Sequence, residues 1–180
     1  MKRMFWIAAL LIVAVAVVLT GCARQTPSEV VEADGGVQND TSYDAPKTIE
    51  STQIIAFSCA FSGFTMDEKD TRLAGRAYQL EAKLENGAVK GSYHAYTRFD
   101  GEKKTFRASH SFMNDLQQVV AEHDLAQHNG LSYRVSGLPE GYGALLTVDY
   151  ASGEHIYASD NQSCFLSFAA MEALEALFYA

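Results

Sequence analysis

Apolar and polar residues alternate with a period of two at several places along the chain, and this alternation carries most of what can be read of the fold. From Ile54 to Phe64, Ile55, Phe57, Cys59 and Phe61 fall on one face and Ala56, Ser58, Ala60 and Ser62 on the other, which predicts a strand. From Arg76 to Leu84 the apolar face holds Tyr78, Leu80, Ala82 and Leu84. Asn86-Gly87 follows at once, and Asp100-Gly101 comes one strand later. Both dipeptides favour two-residue hairpin turns, because a type I′ turn needs two residues that tolerate positive φ. The first turn predicts the pairs Leu84 with Val89, Ala82 with Gly91, Leu80 with Tyr93 and Tyr78 with Ala95. The second predicts Ala95 with Phe106 and Tyr93 with Ala108. Both registers keep the same apolar residues on one face, so a meander over about 76–84, 89–98 and 103–109 is expected.

The rest of the domain changes period. Ser111 stands as an N-cap ahead of Phe112, Leu116, Val119, Val120 and His123 at helical spacing, and Asn129-Gly130 closes that unit. Leu131 to Val135 reads as a short strand and the stretch from Gly137 to Gly143, with Pro139, as a loop. A second hairpin is expected from Leu145 to Tyr150 and from Glu154 to Ser159, turning at Ala151-Ser152-Gly153. Ser167 then caps a last helix with an apolar stripe of Ala170, Met171, Leu174, Leu177 and Phe178. Strands and helices in separate blocks predict an α+β fold: an antiparallel sheet with two helices, about 112–125 and 168–179, on one face.

The N-terminus has a different logic. Lys2 and Arg3 precede an apolar run of 16 residues from Met4 to Leu19, and small residues follow before a cysteine. These are the charged, apolar and small-residue zones of a secretory signal. The run is shorter than the ~18–20 residues that a helix needs to cross a bilayer. Leu19-Thr20-Gly21-Cys22 resembles the lipobox of bacterial lipoproteins. The resemblance covers residues 1–22. It implies a signal peptide at 1–21, acylation of Cys22, cleavage before it, and a protein held at the extracytoplasmic side of a membrane. Several acyl chains suit this role, since one chain holds a protein only marginally.

Composition narrows the partners. Loss of Lys2 and Arg3 leaves 12 basic residues against 22 acidic ones, a formal charge of −10. This argues against nucleic acid and against a polybasic grip on anionic lipid. Ala23 to Glu50 is rich in Ser, Thr, Asn, Asp and Gly and poor in large apolar residues, so residues 22–50 are expected to form a lipidated, disordered tether with a reach of roughly 30 Å. Residues 51–180 then form one domain.

No catalytic or cofactor signature stands out, and neither a cofactor nor a metal is expected. Glu122, His123, Asp124 and His128 do not have the spacing of a metal site. Cys59 and Cys164 form a candidate disulfide, or two separate buried thiols. A Cys–His nucleophile pair, Cys164 with His155 for instance, is conceivable, but the surroundings of Cys164 match no cysteine-enzyme signature. The outward face of the meander carries Gln79, Glu81, Lys83, Lys90, Ser92, His94, Tyr96, Arg98, Lys103, Thr105 and Arg107, a locally basic surface on an acidic protein. Lys83 opposite Lys90, and Arg98 opposite Lys103, place like charges together. His94, Tyr96, Arg98 and Arg107 are the candidate ligand-binding face. The expectation is a membrane-anchored binding or interaction module, with a protein or an envelope polymer as partner. A cell-envelope hydrolase and a purely structural lipoprotein are the alternatives.

Overall fold

The computed structural model describes residues 36–64, 72–137 and 143–180, and within them residues 36–180 belong to one compact unit. The signal stretch, Cys22, residues 23–35 and most of the loop around Pro139 lie outside the described residues.

Eight strands form one sheet: β1 (Gly36–Asn39), β2 (Ile54–Ser62), β3 (Ala77–Glu85), β4 (Ala88–Tyr96), β5 (Gly101–Ala108), β6 (Ser132–Ser136), β7 (Ala144–Tyr150) and β8 (His155–Asp160). Their order across the sheet is β1-β6-β8-β7-β2-β3-β4-β5, antiparallel except between β6 and β8. Two helices, α1 (Ser111–Glu122) and α2 (Phe168–Tyr179), contribute to a core shared with one face of the sheet. The fold is α+β, as the segregated blocks predict.

The first hairpin has the predicted register in full, from Leu84 opposite Val89 to Tyr78 opposite Ala95. Asn86 and Gly87 take φ of 52° and 79°, as the turn requires. The second hairpin differs. Tyr96 pairs with Gly101, Tyr93 with Lys104, Gly91 with Phe106 and Val89 with Ala108, so β5 is displaced by four residues from the two-residue turn. Neither Asp100 nor Gly101 has positive φ. The connection is instead a four-residue loop, Thr97 to Asp100, organised by one side chain. Thr97 Oγ1 accepts from the Phe99 and Asp100 amides at 3.2 and 3.0 Å and donates to the Asp100 carbonyl at 3.2 Å. The displacement sets Phe106 over Gly91, where a Cβ would meet its ring at 2.5 and 2.6 Å from Cε2 and Cε1 and closer still at Cζ. The glycine provides the space, and Phe112 and Phe178 close around the ring with centroids at 5.1 and 6.0 Å.

Three smaller corrections have local causes. A bulge between Ile54 and Ala56 turns Ile54 into the core and leaves Ile55 37% exposed, so Ile54 takes the place expected of Ile55. Ser111 is the first residue of α1 and not its cap; His110 precedes it without a capping side-chain bond. Within the segment expected to be a disordered tether, Gly36–Asn39 pairs with β6 and Ile49 packs against the core. Asn129 fixes that segment: its Nδ2 donates to the carbonyls of Pro46 and His155 at 2.9 and 3.2 Å, and its Oδ1 accepts from the Tyr157 amide at 2.9 Å. By contrast Ser167 caps α2 as expected, its Oγ accepting from the Ala170 amide at 3.2 Å.

The stripe of α2 contains a residue its pattern did not announce. Glu175 is only 4% exposed and sits among Ala170, Met171, Leu174 and Phe178. The Tyr93 hydroxyl donates to its Oε1 at 3.3 Å, and Arg72 Nη2 lies 3.1 Å from its Oε2. Burial, reinforced by the Glu175 charge, pushes the Tyr93 phenol well above its ordinary value. The pair ties α2 to the sheet through polar atoms that burial obliges to find partners.

Candidate functional site

Because both helices pack on one side, the other side of the sheet has no covering element among the described residues. Strand registers place its side chains in rows that cross the sheet. One row runs His155, Asp149, Ala56, Lys83, Lys90, Arg107. The next runs Tyr157, Thr147, Ser58, Glu81, Ser92, Thr105, and a third runs Ser159, Leu145, Ala60, Gln79, His94, Lys103. Beyond the bulge at Ile55, the central strand β2 contributes Ala56, Ser58, Ala60 and Ser62 to this face, so a trough with a small-residue floor lies between taller neighbours. Two cavities occupy it: about 390 Å³ over Ala56 and Ser58 and about 290 Å³ over Ala60 and Ser62.

The four candidate ligand residues are not one cluster. His94 and Tyr96 are together, their ring centroids 4.9 Å apart, and His94 Nδ1 lies 3.4 Å from Gln79 Oε1. Arg107 stands opposite Lys90, four residues along β4 from His94, which is about 13 Å of strand. Arg98 lies in the loop beyond the other end of β4, and the expected pairing of Arg98 with Lys103 is absent because Lys103 faces His94. A two-residue turn would have set Arg107 beside His94; the Thr97 loop moves it away.

The displacement builds a different group. Lys83, Lys90 and Arg107 align across three adjacent strands, with the Ser92 and Thr105 hydroxyl positions in the next row. Glu85 serves two of the three, lying 2.5 Å from Lys90 and 3.7 Å from Lys83. Its hydrogen bond and attraction to Lys90, aided by Lys83, hold its carboxyl below the usual range. Arg107 makes no ion pair among the described residues. Like charges on directly opposed residues cost a few tenths of a kcal/mol each, so this row is a place where an anion is favoured.

Of the other candidates, the two cysteines lie near each other without a bond, and the Cys164–His155 pair separates. Cys59 and Cys164 are free thiols, both on the core side. Burial pushes both thiols up in pKa, and Cys164 lies near enough for its charge to add to the effect on Cys59. Cys164 Sγ lies 3.6 Å from Met171 Sδ and 4.0 Å from the Leu166 carbonyl. His155 belongs to the opposite face, in the row with Asp149. The Cys164–His155 pair is therefore not assembled. His128 is half-buried with its ring centroid 5.0 Å from that of Phe165, and burial lowers its pKa.

An α+β domain whose sheet has one face uncovered among the described residues, with a small-floored trough and a cationic row, is thus the class that the fold and site define. Comparison with known proteins finds no matching family model, no matching curated protein and no matching solved structure.

Proposed function

We propose that this chain is a lipid-anchored extracytoplasmic binding module, held by Cys22 and engaging an anionic polymer, of protein or envelope origin, on its bare sheet face. The observation that carries the reading is the Lys83–Lys90–Arg107 row on a formally acidic protein, left with one shared carboxylate. A linear chain of carboxylates or phosphates lying across β3, β4 and β5 relieves the repulsion in that row, and the Thr105 hydroxyl in the next row supplies a hydrogen-bond donor. Binding is favoured over hydrolysis because Cys164 lies on the core side of the sheet and His155 on the opposite face, so no Cys–His nucleophile pair is assembled there.

Two measurements test the two halves of this reading. Cys22→Ala should leave the domain folded but shift the protein from the membrane to the soluble fraction; continued membrane fractionation refutes the anchor. Polyglutamate and polyphosphate should bind the full chain with an affinity that falls as salt rises. Lys90→Glu combined with Arg107→Glu should abolish this binding while the far-ultraviolet circular dichroism stays unchanged. Equal binding by the double variant removes the proposal.

A further inference from the structure

The larger cavity of the trough carries two lysines on one wall and an aspartate on the other. Its floor is Ala56 and Ser58. On the β3–β4 side stand Lys83 and Lys90, both ion-paired with Glu85, together with the Glu81 carboxylate, and on the β7 side stands Asp149. Asp149 and Lys83 both face Ala56, from opposite neighbours of β2, so two strand spacings, or about 10 Å, separate their backbones. Asp149 makes no ion pair among the described residues, so the two walls do not neutralise each other. Thr147 and Ser92 add hydroxyls beside the two walls, and Glu81, whose Oε2 accepts from the Ser92 hydroxyl at 3.3 Å, takes up that donor. A cavity of about 390 Å³ is within the range of small-ligand sites, roughly 300–1,000 Å³.

We propose that this cavity binds a zwitterion, specifically an amino acid or short peptide with both ends free: its ammonium on Asp149 and its carboxylate on Lys83 and Lys90. The small floor is what makes the site. A larger residue at Ala56 would fill the gap between the walls and leave a flat surface. The opposed charges set the polarity of the ligand along the row and discriminate against chains blocked at either end. An acidic polymer lacks the ammonium that Asp149 calls for, so the site is distinct from the Lys83–Lys90–Arg107 row even though it shares two lysines with it. The inference rests on the bare face serving for binding, and Arg107, which does not line the cavity, separates the two ideas.

Titration of the full chain with Ala-Ala, N-acetyl-Ala-Ala and Ala-Ala-amide, followed by calorimetry or by amide shifts in NMR, reads the site directly. Ala-Ala should bind saturably, and each blocked peptide should lose about tenfold or more, the loss expected when one charge-assisted contact of about 1.4 kcal/mol is removed. Asp149→Asn should weaken Ala-Ala and remove the penalty for N-acetylation while leaving that for amidation. Ala56→Leu should abolish binding of all three peptides without loss of fold. Arg107→Gln, which removes the charge without setting a carboxylate opposite Lys90, should weaken polyglutamate and change Ala-Ala little, so the polymer site and the peptide site fail separately. Equal affinity for the free and blocked peptides overturns the proposal, as does the lack of any saturable response to Ala-Ala.

Discussion

Replacing Gly91 by alanine tests the packing that decides how β5 joins the sheet. The added methyl would lie within 2.5 and 2.6 Å of two Phe106 ring carbons, far inside van der Waals contact. The ring cannot swing aside freely, because Phe112 and Phe178 hold it at 5.1 and 6.0 Å between centroids. Overpacking of this kind costs about 1–3 kcal/mol, and each aromatic pair loosened costs roughly 0.5–1.5 kcal/mol more. Alanine in place of glycine returns roughly 0.5–1 kcal/mol of backbone entropy. The net expectation is a loss of about 2 kcal/mol, or roughly 5–8 °C in Tm for a domain of this size. Urea denaturation of Gly91→Ala, Phe106→Ala and the double variant forms the deciding cycle. In the Phe106→Ala background the same glycine substitution should cost nothing or stabilise slightly, a coupling of roughly 2–3 kcal/mol. Equal cost in both backgrounds would refute the reasoning, and with it the four-residue displacement. In the two-residue register Phe106 would lie against Ala95, and Gly91 would be indifferent to it.

Two further outcomes follow from the core and from the segment beside it. Glu175→Ala should destabilise by about 1–3 kcal/mol, mostly through the stranded Tyr93 hydroxyl, since Arg72 is largely exposed and returns to water. Adding Tyr93→Phe should recover much of the loss; if the double variant is as unstable as the single one, the hydroxyl is not the cause. His128 has a pKa lowered by burial from an ordinary value of 6.5, so the unfolded chain takes up its proton first as the pH falls. Its contribution to stability is therefore full above about 6.5 and declines as the pH drops toward the lower folded value, and His128→Gln should flatten that part of a stability–pH profile measured by urea midpoint. A profile unchanged by the substitution counts against it.

Much of the architecture was legible because alternation and turn chemistry act locally. The β3–β4 hairpin was specified by two facing apolar stripes and by Asn86-Gly87, whose positive φ values cost little at those two residues. The last helix was marked by Ser167 and its stripe. The site was less legible for a definite reason. A slip of one residue exchanges the faces of a strand and shows at once in the pattern, but a slip of four preserves them, so parity could not distinguish a turn at Asp100-Gly101 from the Thr97 loop. His94, Tyr96, Arg98 and Arg107 were all placed outward on that reading, yet only the first two meet. Asp149 and Ala56 went unnoticed because nothing local connects residues that far apart in sequence. Glu175 had a signal, a carboxylate four residues after Met171 and three before Phe178, but the stripe around it reads as complete without it.

The sequence by itself determined the block order, the α+β class, the core face of β3 and β4 and that of β2 from Phe57 on. Each rests on a short window in which local sterics or hydrophobic period suffice. Only the tertiary structure decided the order of the eight strands, the parallel contact of β6 with β8, the inclusion of Gly36–Asn39 in the sheet and the displacement of β5. Those outcomes depend on which distant groups fill which spaces: a phenyl ring over a glycine, an asparagine joining three segments, a tyrosine reaching a buried carboxylate. The trough followed from the same cause, since small residues on β2 make a cavity only when β7 and β3 flank them with Asp149 on one side and Lys83 on the other.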